Sequence, residues 1–257
     1  MRKEEILRQS AMPAASPSYP RGPYRFLDRE YLIVDYESDP NAVAEAIPEP
    51  LEPDGSNSVL YEFIKMPDSA GFGSYEESGV LIPARFQGES INFVAQMYLD
   101  CHPAIVGGRE IWGFPKKLGT PKLSIHHDTL TGKLDYAGIT VAVATMAYKH
   151  ENIICPDKGK AQGCDPTEII EKLRKTNVNL KIIPDVDGSL QTAQLVAYNM
   201  EDIDIKWAWK GPARLALFPH VNAPVADLPV HQVNKGMHLI GDMTLPYGRV
   251  LYDYLNE

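Results

Sequence analysis

The chain has 257 residues, 44% of them hydrophobic and 23% charged, with a formal net charge of −9. A chain of this size buries a full core as one large domain or two small ones, and its acidic balance argues against nucleic acid or an anionic membrane as the main partner. An anionic ligand would need a local positive pocket, which Lys116 and Lys117 can supply. The opening segment MRKEEILRQS has no apolar core of a signal peptide, and the most apolar run, VAVATMA at 141–147, is too short to span a bilayer; a soluble, cytoplasmic protein is expected. Cys101, Cys155 and Cys164 form no paired spacing, which fits free thiols in a reducing compartment. Cys155 and Cys164 share the loop CPDKGKAQGC without histidines at ligand spacing, so zinc is not expected there.

In chain order, residues 2–9 predict a short helical turn, and the proline-rich 11–24 an extended arm. REYLIVDY, starting at Arg29, reads as a strand, and PNAVAEAI at 40–47 as a short helix stopped by PEPLEPDG. In SVLYEFIKM (58–66), two-residue alternation puts Leu60, Glu62, Ile64 and Met66 on one side, so Glu62 is an acid on an apolar face. In SYEESGVLI (74–82), Tyr75, Glu77, Gly79 and Leu81 share a face; Glu77 looks inward and Glu76 outward. If these segments pair, Glu62 and Glu77 face one interior; the alternative is that either glutamate marks a strand end or a bulge. INFVAQMYL (91–99) places Ile91, Phe93, Ala95, Met97 and Leu99 together as an apolar wall.

Pro103 can open a helix over 104–112, weakened by Gly107 and Gly108. Pro115 biases Phe114 to extended backbone, so the helix stops before Lys116 and Lys117, which emerge in a constrained, non-helical segment. The remainder reads mainly as strands, from KLDYAGITVAVATMAYK (133–149) to the C-terminal GRVLYDYL, interrupted by one helix at 166–175 that Asp165 can cap. Many short strands with few helices predict a mainly β, antiparallel architecture, a sandwich or a barrel. With no repeat or linker, residues 1–257 are taken as one domain.

The chemistry centres on GGREIWGFPKKLGTPKL (107–123), where two lysines sit among Trp112, Phe114 and Leu118. An ordinary lysine, with a pKa of about 10.4, offers the free amine only to about one part in a few thousand at pH 7. Desolvation or a neighbouring cation raises that fraction, and a neutral amine attacks a carbonyl carbon to form a Schiff base. Side chains at i and i+1 diverge, so desolvation by Trp112, Phe114 and Met97 is expected to outweigh Lys117. Two solvated lysines in a turn are the plain alternative.

FPKKLGTPKL, SPSYPRGPYRFLDREY (16–31), YEF (61–63), YEESG (75–79), MYLD (97–100), LKIIPDVDGS (180–189), WKGPARLALF (209–218) and YDYL (252–255) together resemble the acetoacetate decarboxylase family over nearly the whole chain. The resemblance implies a barrel or cone-like fold, conversion of acetoacetate to acetone and carbon dioxide, no metal, nucleotide or organic cofactor, and a large homo-oligomer, a dodecamer. It implies that Lys116 is the Schiff-base nucleophile and that Arg29, Glu62 and Glu77 complete the pocket, with Arg29 on the substrate carboxylate, Glu77 holding Arg29 or the Schiff-base region, and Glu62 shaping the cavity. Lys117 is counted with this catalytic set, and Met97 and Phe114 with the substrate pocket. Aldol-type chemistry on the same Schiff base, or a non-catalytic barrel holding a small carboxylate, are the competing readings. The bulky WGF at 112–114 and the CH pair at 101–102 depart from the family pattern.

Overall fold

The computed structural model describes residues 1–154 and 167–256. Cys155, Cys164 and the proposed cap Asp165 lie outside the described residues. The strands are β1 (Tyr24–Glu37), β2 (Glu52–Pro53), β3 (Ser58–Ser69), β4 (Gly73–Phe86), β5 (Glu89–Leu99), β6 (Lys116–Leu118), β7 (Thr120–His126), β8 (Thr129–Tyr136), β9 (Ile139–Ala147), β10 (Glu151–Ile154), β11 (Asn177–Pro184), β12 (Leu190–Tyr198), β13 (Glu201–Gly211), β14 (Ala213–Leu217), β15 (Gln232–Leu245) and β16 (Arg249–Asp253). Short helices are α1 (Lys3–Ile6), α2 (Pro40–Ala46), α3 (His102–Gly107) and α4 (Thr167–Arg174). The mainly β expectation holds.

A large sheet runs β10-β13-β15-β1-β3-β4-β5-β11-β12-β16, with β2 on β4 and β6 on β5; a smaller sheet runs β14-β9-β8-β7. Pairing is antiparallel except where β6 and β11 join β5 in parallel. Neither sheet closes on itself among the described residues, which corrects the expectation of a barrel. Side chains from α3, the turn after it and α4 pack instead against one face of the large sheet.

Successive strand side chains point to opposite faces, and here both faces are covered. Leu32, Val34, Tyr61, Phe63, Val80 and Ile82 meet Leu130, Leu134, Ala142 and Met146 of the small sheet in one core. Tyr31, Ile33, Ile64, Leu81, Val94, Leu99 and Leu239 belong to a second core on the other face. That explains the continuous apolar stretches in β1 and β4, which simple half-buried alternation would not give. Glu76, read as outward, does leave the second core, but it is buried between the sheets, accepting from Leu123 N at 2.5 Å and Lys122 Nζ at 2.6 Å. The long strand expected over 133–149 is a hairpin turning at Ala137 and Gly138, with φ of 51° and 82° as a tight two-residue turn demands.

Candidate active site

Two bulges decide which side chains reach the second core. In β1 the register against β15 shifts between Phe26 and Arg29, with Asp28 at φ 52°. The extra residue turns Arg29, Tyr31 and Ile33 onto the face of Tyr24 and Phe26, whereas unbroken alternation would send Arg29 away. In β5 the register against β4 skips Ala95: Val80 faces Gln96 and Leu81 faces Val94. Met97 and Leu99 therefore share the cavity side with Val94 and Asn92, while Ile91, Phe93 and Ala95 belong to the other core. This corrects the expectation of five alternating residues on one wall.

Across the sheet, one row of paired residues runs Lys116, Met97, Gly79, Glu62, Ile33. Gly79 puts no side chain into the middle of that row, and Met97 and Leu81 close over it, since a Cβ there would lie 3.6 Å from Met97 Cγ and 3.9 Å from Leu81 Cδ1. Glu77 lies opposite Ile64 on the neighbouring row, confirming the hairpin pairing that lets Glu62 and Glu77 share an interior. The cavity holds about 770 Å³ and is lined by Arg29, Tyr31, Glu62, Glu77, Met97, Phe114, Lys116 and Tyr198, among others.

The lysine segment is held rigidly. α3 begins two residues earlier than expected and passes into a π-helical turn over Gly108–Trp112, ended by Gly113 at φ 74°, a left-handed position suited to glycine. The wide turn leaves carbonyls free, and other elements take them: Lys181 Nζ donates to Ile111 O at 3.1 Å and Asn179 Nδ2 to Trp112 O at 3.2 Å. Arg109 Nη1 donates to Lys116 O at 3.2 Å. Trp112, 1% exposed, donates to Pro246 O at 2.9 Å and stacks on Tyr247. β6 then runs beside β5, aligning Lys116 with Met97 and Lys117 with Tyr98.

Lys116 and Lys117 consequently diverge. Lys116 is 7% exposed; its Nζ lies 3.1 Å from Glu77 Oε2, a residue 2% exposed, and 4.8 Å from the centre of the Phe114 ring. The Glu77 contact has ion-pair distance without hydrogen-bond alignment, since Oε2 has no aligned donor among the described residues. Lys117 is exposed, donates to Asn222 O and lies over Tyr136, on the wall of a different, smaller cavity. The structure does not bring Lys117 to the site, because a strand sends adjacent side chains to opposite faces. Gly108 faces Lys116 so closely that a Cβ there would lie 2.7 Å from its Cδ and 3.3 Å from its Nζ. The glycine that weakens the helix thus makes room for the lysine.

Arg29 sits with its guanidinium 4.9 Å from the ring centres of Phe26 and Tyr31, and Nη1 3.8 Å from Met243 Sδ. Its buried Nε has no partner, and the residue forms no ion pair among the described residues. Burial pulls the guanidinium down, while Tyr31, Glu77, Tyr75 and Glu62 more than offset it, leaving it above its ordinary value. Glu62 is pushed from 4.5 up to about 7 by burial and by Glu77, against the pull of Arg29. Burial also raises the Tyr198 and Tyr75 hydroxyls. His102, His126 and His127 are exposed, away from this cluster. Sequence reasoning missed Tyr31, Tyr198, Asn179, Lys181 and the role of Gly108; of these, Tyr31, Lys181 and Gly108 lay in stretches already singled out, SPSYPRGPYRFLDREY, LKIIPDVDGS and the lysine segment itself.

The raised Glu62 makes stability depend on pH. Its stabilising contribution is fully present below about 4.5 and is lost as pH rises through about 7, a change on the order of 3 kcal/mol. Denaturant unfolding of wild type and Glu62→Gln from pH 5 to 8 should show wild type losing ground progressively; a pH-independent difference contradicts the assignment.

Residues 11–255 match the family model for acetoacetate decarboxylase (ADC). The acetoacetate decarboxylase of Acidiphilium cryptum (strain JF-5) is 51% identical over 245 residues, covering 95% of each chain. A solved acetoacetate decarboxylase structure superposes with a TM-score of 0.93 at 42% identity, covering 100% of both chains. That of Legionella pneumophila subsp. pneumophila str. Philadelphia 1 gives 0.88 at 44%, covering 97% of this chain and 96% of the other. With the buried lysine, the arginine and both glutamates gathered in one cavity, and likeness extending over nearly the full length, the chain belongs to the acetoacetate decarboxylase family.

Proposed function

We propose that this chain converts acetoacetate to acetone and carbon dioxide through a Schiff base on Lys116. The observation that carries the reading is a buried lysine beside Glu77, sharing an apolar-walled cavity with a guanidinium that forms no ion pair among the described residues. Arg29 takes the substrate carboxylate and so places the ketone toward Lys116. Glu77 accepts the proton that the Lys116 ammonium sheds. The free amine then adds to the ketone carbon, and the carbinolamine hydroxyl, protonated in turn, leaves as water to give an iminium.

The C–C bond to the carboxylate next breaks, and its electron pair flows into the cationic C=N, leaving a neutral enamine and carbon dioxide. Protonation at carbon regenerates an iminium, and water adds to it and expels the amine, releasing acetone and restoring Lys116. The iminium itself is the electron sink, so the steps call for no metal or organic cofactor. Apolar walls favour the step, because the carboxylate charge is localised before bond breaking and dispersed during it. Glu62, once ionised, adds to that effect by disfavouring a second localised negative charge beside it.

The same reading takes residues 1–257 as one catalytic unit and carries over the family's large homo-oligomer and a cytoplasmic location. Supporting the last are the acidic net charge and the absence, among the described residues, of any helix long and apolar enough to cross a membrane.

Carbon dioxide release from acetoacetate should vanish in Lys116→Met, whereas Lys117→Met should retain turnover within about threefold and leave the pH–rate profile in place. A Lys117→Met profile displaced by whole pH units contradicts the desolvation account. Gly108→Ala should stay folded but melt lower, because admitting the methyl shifts Lys116 and loosens its contact with Glu77, and should lose on the order of 10- to 100-fold in kcat as the amine is displaced. Unchanged kcat would mean that the close approach has no bearing on reactivity.

A further inference from the structure

The cavity extends far beyond the room needed by a four-carbon acid at Lys116. On β5 it runs from Met97 back to Asn92, roughly 15 Å at about 3.3 Å per residue. The Lys116 end is capped by buried Tyr24, Trp112 and Phe114. At the far end the lining turns polar, and four lysines border it, Lys172, Lys175, Lys210 and Lys235, interleaved with the acids Asp35, Asp54 and Glu168.

Three of the four are already neutralised. Lys172 pairs with Glu168 at 2.5 Å, Lys210 with Glu151 at 2.9 Å and Lys235 with Asp35 at 3.7 Å. Lys175, just beyond α4, makes neither an ion pair nor a side-chain hydrogen bond among the described residues, although it is half-buried. Its backbone is fixed where it stands, since its carbonyl accepts from Asn177 Nδ2 at 3.2 Å, and the Asn177 side chain in turn accepts from Asn92 Nδ2 at 3.3 Å. Burial lowers its affinity for a proton, with Asp54 opposing. An incoming carboxylate would relieve that penalty.

We propose that Lys175 is the receiving cation of the cavity mouth, capturing the carboxylate of an anionic β-keto acid and passing it inward to Arg29. The inference rests on the decarboxylase reading and deepens it. A chain of net charge −9 repels an anion at long range, and an unpaired cation on a low-dielectric rim is the arrangement that reverses this locally. Lys175 precedes Asn177, which pairs with Asn92 at one end of the β5 wall, whereas Lys116 pairs with Met97 at the other, so Lys175 acts on capture and leaves bond making to the buried end.

The test compares kcat and kcat/KM for acetoacetate in wild type, Lys175→Met, Lys175→Glu and Lys175→Arg at about 0.02 M and about 0.5 M salt. At low salt, kcat/KM should fall about threefold in Lys175→Met and about tenfold in Lys175→Glu, with Lys175→Arg near wild type and kcat within about twofold throughout. At high salt the differences should shrink below about twofold. Borohydride trapping of neutral acetone on Lys116 should be equal in all four proteins, which reports an intact site. A loss that is insensitive to salt, a parallel fall in kcat, or wild-type kcat/KM in Lys175→Glu at low salt overturns the proposal. A wild type that releases no carbon dioxide removes the underlying reading and this inference with it.

Discussion

The contact on which the structure depends is that between Lys116 and Glu77, 3.1 Å apart and almost wholly removed from water. Withdrawing two such groups from solvent costs several kcal/mol each, and their mutual attraction compensates only while both are held in place. The surrounding architecture does that holding. β6 is pinned to the edge of β5, the π-helical turn is tied down by Asn179 and Lys181, and Gly108 leaves the lysine its space. Removing either partner would strand the other charge in an apolar site.

Two departures from regular strand geometry convert an ordinary sheet into a reaction vessel. The bulge at Asp28 turns Arg29 inward, and the bulge at Ala95 brings Met97 and Leu99 to the cavity side. Without the first, Arg29 would face the opposite side. The same geometry separates the two lysines: one residue along β6 is enough to put Lys117 beside Tyr98, against another part of the molecule.

Much of this was legible in the residues. Alternation in SVLYEFIKM and SYEESGVLI set both glutamates inward, and Pro115 after Phe114 ended the helix before the lysines, because both signals are local. Arg29 was reached only through the family resemblance, since alternation is blind to a bulge that shifts its phase. The wall of β5 was misassigned for the same reason at Ala95. The expected barrel failed differently: strand count and alternation say how many strands form and which faces are apolar, but closure depends on whether β10 and β16 meet, a long-range property that no local pattern encodes. The hairpin at Ala137–Gly138 was absorbed into one long strand because alanine is an unusual residue at φ 51°.

The central claim is that the buried lysine, and not its exposed neighbour, carries the substrate carbon. Incubation with acetoacetate, reduction with borohydride and peptide mass mapping tests it directly. The account predicts a stable three-carbon adduct on Lys116, with Lys117 unmodified. An adduct on Lys117, or no adduct while carbon dioxide is still released, would contradict it.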